Sequence, residues 1–330
     1  VVRLAHIVAI FMAGALGAAA QPVPVIIDTD AGSDDLMAIA FLLVHPSVRI
    51  EAITIANGLA HVDAGARNLV RLLDLAGRKD VPVFTGRGVP LRGNAEFPAE
   101  WRKISDELPG VTLPPASRQP EPRRAVDYLV ERLRDTNHPV RILALGPLTN
   151  IAEAFQRAPS STGAIQEMVI MGGAVRAPGN LTDGGVFHTT NKTAEWNMFV
   201  DPLAARLVFR SGVNIRLIPL DATNTVPIGA AFLREFQSQA HAPLARFVAQ
   251  VLEADREVIN LGIFYAWDPL AAVALLDRGV VNTVPLHIDV KQDPPEEGRT
   301  IETPGRTNAR TALAADATAF RRIFLEAFGK

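Results

Sequence analysis

The order of segments along the chain predicts an α/β fold, a mostly parallel central sheet flanked by helices. Short apolar runs rich in β-branched residues alternate with longer amphipathic stretches, the pattern of successive βαβ units. The runs are continuously apolar, which fits strands covered on both faces. Apolar residues make up 48% of the 330 positions, enough for a large buried core.

The elements follow in order. VPVIID (23–28) reads as the first strand and DDLMAIAFLLV (34–44) as its helix. RIEAITIA (49–56) and DAGARNLVRLLDLAG (63–77) form the next pair, and VPVFTG (81–86) a third strand. Residues 92–122, with Pro98, Pro109, Pro114, Pro115 and Pro120, read as irregular. PRRAVDYLVERLRD (122–135) is helical, VRILAL (140–145) a strand, LTNIAEAFQRA (148–158) a helix and EMVIM (167–171) a strand. A second irregular stretch, 177–193, contains Gly179, Gly184 and Gly185. Long loops of this kind are often binding loops. DPLAARLVFRSG (201–212) then gives a helix and NIRLIPL (214–220) a strand. Beyond Ile228 helical patterns dominate, with a strand candidate at LHIDV (286–290) and a closing helix, DATAFRRIFLEAF (316–328). No internal repeat occurs, and 21–330 reads as a single domain.

Residues 1–20 stand apart. One early cation, Arg3, an apolar stretch and Ala18-Ala19-Ala20 have the layout of a secretory signal peptide cleaved after Ala20. The expectation is an exported protein, periplasmic or secreted, with no membrane contact after cleavage. A net charge of −2 without a basic block gives nucleic acid no electrostatic purchase. The absence of cysteine excludes disulfides, thiol catalysis and zinc–thiolate sites.

In open parallel sheets ligands bind beyond the carboxyl ends of the strands. Asp28, Asp30, Asp34 and Asp35 fall at the end of the first strand, Asn57 after the second, Leu145 at the fourth and Met171 at the fifth. Crowded carboxylates repel one another unless a positive charge sits among them, and no Lys or Arg occurs in IIDTDAGSDDLMAIA (26–40). A bound hard cation, Ca2+ or Mg2+, resolves the conflict with oxygen ligands alone. The alternative is a helix N-terminus decorated with capping acids, which accounts for Asp34 and Asp35 but not for Asp28 and Asp30.

DTDAGSDD (28–35) resembles the DTDPGxDD signature of the nucleoside hydrolases, the inosine-uridine preferring nucleoside hydrolase family, with Ala31 where proline is usual. LGPLTN (145–150), MGGA (171–174), AEWN (194–197) and AWDPL (266–270) are similar to further motifs of that family, in its order. The resemblance implies a Rossmann-like nucleoside hydrolase fold and Ca2+-dependent hydrolysis of the N-glycosidic bond of ribonucleosides to free base and ribose. It implies Asp30, Asp35, the Leu145 carbonyl and Asp268 as metal ligands, and Asp30 as general base toward the attacking water. Asp34, Asn57, Met171 and Asn197 would hold the ribose, with Glu195 and Asn180 at its 5′-hydroxyl end and Asn191 as the rival to Asn180. Asp28 and Trp196 would support these groups from behind. Read as an extended segment, AEWN sends Glu195 and Asn197 to one side and Trp196 to the other. Asp268, before Pro269, also suits a helix N-cap.

Trp267 precedes the last ligand, where the inosine–uridine type tends to carry histidine. With Trp101 in FPAEWRKISDELPG (97–110), it resembles the purine-specific inosine–adenosine–guanosine type, in which two tryptophans stack on the base. Stacking is worth roughly 1–3 kcal/mol per base, and indole rings attract a protonated purine. The expected partner is a purine nucleoside. A pyrimidine-accepting hydrolase, a phosphatase and an exported nucleoside-binding protein without turnover are the competing readings. A homo-oligomer, dimer or tetramer, is compatible with the resemblance.

Overall fold

The computed structural model describes residues 23–329; the segment read as a signal peptide lies outside the described residues. Ten strands form two sheets: β1 (Val23–Thr29), β2 (Val48–Ile55), β3 (Val83–Thr85), β4 (Val140–Ala144), β5 (Ile165–Met171), β6 (Ile215–Ile218), β7 (Val281–Leu286), β8 (Ile288–Val290), β9 (Thr300–Glu302) and β10 (Ala309–Ala315). The main sheet has eight strands in the order β3-β2-β1-β4-β5-β6-β10-β7. All its pairs are parallel except β10 with β7. β8 and β9 form a separate antiparallel pair. The chain winds outward from β1 through β2 to β3, then returns to β4 on the other side of β1. Strand order therefore reverses between β1 and β4, the kind of place where open α/β sheets bind ligands.

The helices are α1 (Ser33–Val44), α2 (Val62–Leu75), α3 (Ala99–Glu107), α4 (Ala125–Arg132), α5 (Thr149–Arg157), α6 (Trp196–Val200) and α7 (Pro202–Phe209), then α8 (Leu220–Thr223), α9 (Ala230–Gln239), α10 (Pro243–Ala254), α11 (Arg256–Asn260), α12 (Trp267–Leu276) and α13 (Ala317–Phe328). They cover both sheet faces. Val25 and Ile27 of β1 point into a core shared with α1, α2, α10, α12 and α13, and Ile26 between them points into a second core with α4, α5 and α7. This is why β1 is apolar at successive positions. α1 is itself buried all round from Asp35 to Leu42, because α10, α12 and α13 pack over it. A helix without a polar face is stable only when so enclosed. Burying each large side chain, such as Phe41, contributes about 1.5–3 kcal/mol.

Three expectations are revised. The stretch 92–122 contains α3; its prolines bound the helix, Pro98 preceding it and Pro109 following Leu108, whose left-handed backbone (φ 48°) ends it. β10 is a strand that the pattern ARTALAA does not announce, since alanine has weak strand preference and its pairing with β6 and β7 decides the matter. AEWN is not extended: Glu195 is the N-cap of α6, and Trp196 and Asn197 are helical.

Candidate active site

The site is built on the turn between β1 and α1. Ala31 takes a left-handed conformation (φ 59°) and donates its N–H to Thr29 Oγ1 at 3.0 Å. Proline has neither that N–H nor access to that φ, so this turn could not form with proline at position 31. Asp30 sits between two glycines. A Cβ at Gly58 would lie 2.0 Å from Asp30 Oδ2, and one at Gly146 would lie 2.9 Å from the Asp30 nitrogen. Both positions thus require glycine for Asp30 to occupy its place. Leu59 N–H donates to Asp30 Oδ2 at 2.8 Å. The Thr29 hydroxyl donates to Asp35 Oδ1, and Gly32 N–H donates to Asp35 Oδ2 at 3.0 Å.

Asp268 arrives from α12. The helix starts two residues earlier than expected, with Ala266 as N-cap, so Asp268 lies within its first turn and caps nothing. Its Oδ1 is buried and accepts no hydrogen bond. Asp268 contacts Asp35, as does Asp30, and ligand oxygens of Asp34, Asp35 and Asp268 all lie within 4.8 Å of one another. Burial, and then the charge of Asp35, push the carboxyls of Asp30 and Asp268 well above the ordinary range. The same causes push Asp34 up to about 8. No Lys or Arg forms an ion pair with these acids among the described residues. The arrangement is poised for a positive charge: several crowded carboxylates and one orphaned oxygen match the all-oxygen donor set of a hard divalent cation.

Asp28 lies behind the cluster, within β1. The Thr54 hydroxyl and Asn150 Nδ2 both donate to its Oδ1, the latter at 2.9 Å, while Oδ2 is buried without a partner. Burial pushes its carboxyl up to about 7.

The remaining motif residues converge on the same strand ends. Asn197 Nδ2 donates to the Leu145 carbonyl at 2.8 Å and to the Met171 carbonyl at 3.3 Å, bridging the ends of β4 and β5. A carbonyl oxygen has two lone pairs, so Leu145 keeps acceptor capacity. Glu195 is largely engaged by backbone: Oε1 accepts from Asn197 N–H, and Oε2 from Gly173 and Met198 N–H. Asn180 Oδ1 accepts from Trp196 N–H at 3.2 Å. Asn191 is held at both ends of its amide, since Oδ1 accepts from Thr193 and Ala194 and Nδ2 donates to the Glu297 carbonyl.

The three tryptophans divide. Trp196 is buried in an aromatic cluster, stacked on Phe97 with centroids 4.8 Å apart. Trp101 and Trp267 are half-buried. Trp101 meets Trp196 edge-on at 5.6 Å, and Trp267 meets Phe264 at 5.3 Å and Tyr265 at 5.9 Å. Trp101 and Trp267 do not pair directly with each other among the described residues.

Three polar residues escaped the sequence reading. Asn150 holds Asp28. Asp255, between α10 and α11, hydrogen-bonds Ser33 and adds to the negative field on Asp34; burial raises its own carboxyl to about 6. Arg102 of α3 donates to Asn57 Oδ1 at 3.0 Å. Only Asn150 carried a signal, its place in LGPLTN.

A family model for inosine-uridine preferring nucleoside hydrolases matches residues 25–322. The chain belongs to that family. The hydrolase is 35% identical over 230 residues to a pyrimidine-specific ribonucleoside hydrolase, RihA, of Salmonella schwarzengrund, covering 70% of each chain. It is 34% identical to uridine nucleosidase 1 of Arabidopsis thaliana, over 76% of this chain and 73% of the other. Among solved structures, a plant nucleoside hydrolase, PpNRh1, superposes with a TM-score of 0.81 at 28% identity, over 94% of the hydrolase and 99% of that chain. A purine-preferring ribonucleoside hydrolase from Gardnerella vaginalis gives 0.78 at 27%, over 93% and 98%. The α/β fold with a mostly parallel sheet, expected from the sequence, is the fold of these enzymes.

Proposed function

We propose that this nucleoside hydrolase is calcium-dependent and prefers purine ribonucleosides, releasing free base and ribose. The observation that carries the metal reading is the buried, unpartnered Oδ1 of Asp268 among acids that no side-chain cation neutralises. Asp35 and Asp268, which the structure gathers with Asp34, would hold the ion together with Asp30 and the Leu145 carbonyl. Carboxylate and carbonyl oxygens favour Ca2+ over softer metals. When bound, the ion supplies positive charge that orients water and sugar hydroxyls and favours ionisation of the water.

The protein's own groups do the rest. Asp30, fixed by Leu59 N–H and confined by Gly58 and Gly146, takes the proton of the attacking water. Asp34, Asn57, Asn197 and the Met171 backbone hold the ribose, and Glu195 and Asn180 lie toward its 5′ end. Asn180 is preferred to Asn191 because its Nδ2 is uncommitted. As the glycosidic bond breaks, positive charge grows on the sugar and the carboxylates stabilise it. Trp101 and Trp267, half-exposed, offer indole faces to a purine, and stacking eases protonation of the departing base. Export to the periplasm is supported by the signal-like residues 1–20.

A pyrimidine-accepting enzyme is the second reading, favoured by the names of the relatives at 34–35% identity. One panel decides: inosine, adenosine, guanosine, uridine and cytidine, with chelator and after return of Ca2+. Ribose release from purines that stops with chelator and resumes with Ca2+ is expected. Faster uridine cleavage would refute the purine preference, and full turnover in chelator the metal dependence.

A further inference from the structure

Arg102 and Arg216 are the two buried arginines among the described residues. Arg216 is neutralised by Glu167 at 2.6 Å. Arg102 is 5% exposed and reaches in two directions: Nη1 to Glu96 Oε2 at 2.6 Å and Nη2 to Asn57 Oδ1 at 3.0 Å. A guanidinium only donates, so the Asn57 atom facing it must be the amide oxygen. The amide NH2 is thereby turned away from Arg102, and Asn57 Nδ2 has no acceptor among the described residues.

We infer that Arg102 is a positioning residue for the sugar, locking Asn57 so that its amide NH2 is presented as a donor to a ribose hydroxyl. This rests on the reading that Asn57 binds ribose. A free asparagine could offer oxygen or nitrogen; one pinned by a buried cation offers nitrogen alone. Glu96 offsets the Arg102 charge, which would otherwise oppose the positive charge growing on the sugar. Arg102 also ties α3, which carries Trp101, to the sugar pocket, so the segments facing base and ribose are joined by one side chain. α3 has other anchors. Asp106 accepts from His61 N–H at 2.8 Å and contacts its ring at 2.6 Å, and Asn68 Nδ2 donates to the Ser105 and Asp106 carbonyls. The helix should therefore stay docked when Arg102 is replaced.

The test is a double-mutant cycle with Arg102→Met, Asn57→Ala and the double variant. kcat and KM are measured on a ribonucleoside and on its 2′- and 3′-deoxy counterparts, with folding checked by circular dichroism. Arg102→Met should lower kcat/KM for the ribonucleoside by roughly 10- to 100-fold, the range of a lost charge-assisted bond. The double variant should be no worse than Asn57→Ala, and Arg102→Lys should recover part of the loss. On the deoxynucleoside lacking the hydroxyl that Asn57 meets, wild type and Arg102→Met should converge. Losses that multiply in the double variant, or equal losses on every sugar, would overturn the proposal. If Asn57→Ala keeps full ribonucleoside turnover, the ribose assignment of Asn57 fails and the proposal with it. If Asn57→Ala is impaired and Arg102→Met is not, Arg102 alone is misassigned. Should Arg102→Met not fold, Arg102→Ala, which removes the donor and leaves room for water, completes the same cycle, with the same outcomes deciding.

Discussion

At Asp30 the demands of packing and chemistry coincide: one carboxylate is fixed by a backbone N–H, flanked by two obligatory glycines and crowded by Asp35. Asp30→Asn retains the shape and removes the proton acceptor. We predict that it lowers kcat on the order of 10²–10⁴-fold while calorimetry still detects nucleoside binding; undiminished turnover would remove Asp30 as the base. Asp268→Asn should weaken Ca2+ binding in a direct titration, because an amide brings no charge to the cluster; an unchanged affinity would place the ion elsewhere. Trp267→Ala should impair inosine cleavage more than uridine cleavage, and equal losses would count against stacking. The acids Asp28, Asp30, Asp34 and Asp35 were legible in sequence because they crowd into the single stretch DTDAGSDD. Arg102 was not legible: it meets Asn57 across 45 residues, and nothing local in AEWRKISDE marks that contact.

Among the elements, the strands were read from continuous apolar runs and most helices from their amphipathic spacing. Two of the failures, α6 and Asp268, involve a tertiary contact set against the local pattern. α6 forms because Glu195 turns its carboxylate onto the helix's own N–H groups and onto Gly173, which a reading by alternation could not foresee. Asp268 faces the other way: local preference favours a cap, and the cluster claims the side chain instead. From the first of these follows a stability prediction. Glu195→Ala leaves buried donors at the α6 N-terminus unmatched and should destabilise the protein by about 1–3 kcal/mol. A shift of the urea midpoint without a change in slope would show it; an unmoved midpoint would mean that water replaces the cap.

For the whole molecule, the raised carboxyls set a pH dependence. Asp28 at about 7 and Asp34 at about 8 hold protons in the folded state that the unfolded chain has released above about 4. Between those limits the native state binds more protons, so the stability of chelated protein should fall as pH rises from about 4 to about 8. A divalent ion needs these groups ionised, so its stabilisation should grow over the same window. Melting temperatures with chelator and with Ca2+ across that range check both; a flat chelated profile would mean that the acids are ionised without metal. The parallel character of β1 to β6 was readable as successive βαβ units, whereas the placement of β10 was not, because it depends on strands far away in sequence. That strand has a further consequence. β10 follows every other described strand in the chain, yet it lies between β6 and β7, and α13 after it stacks Phe324 on Phe41 of α1. The turn that opens α1 precedes its partner Asp268 and its backing helix α13 by most of the described chain. The acids gathered at the head of α1 are therefore completed from a distant part of the chain, and the cluster forms only when that part has docked.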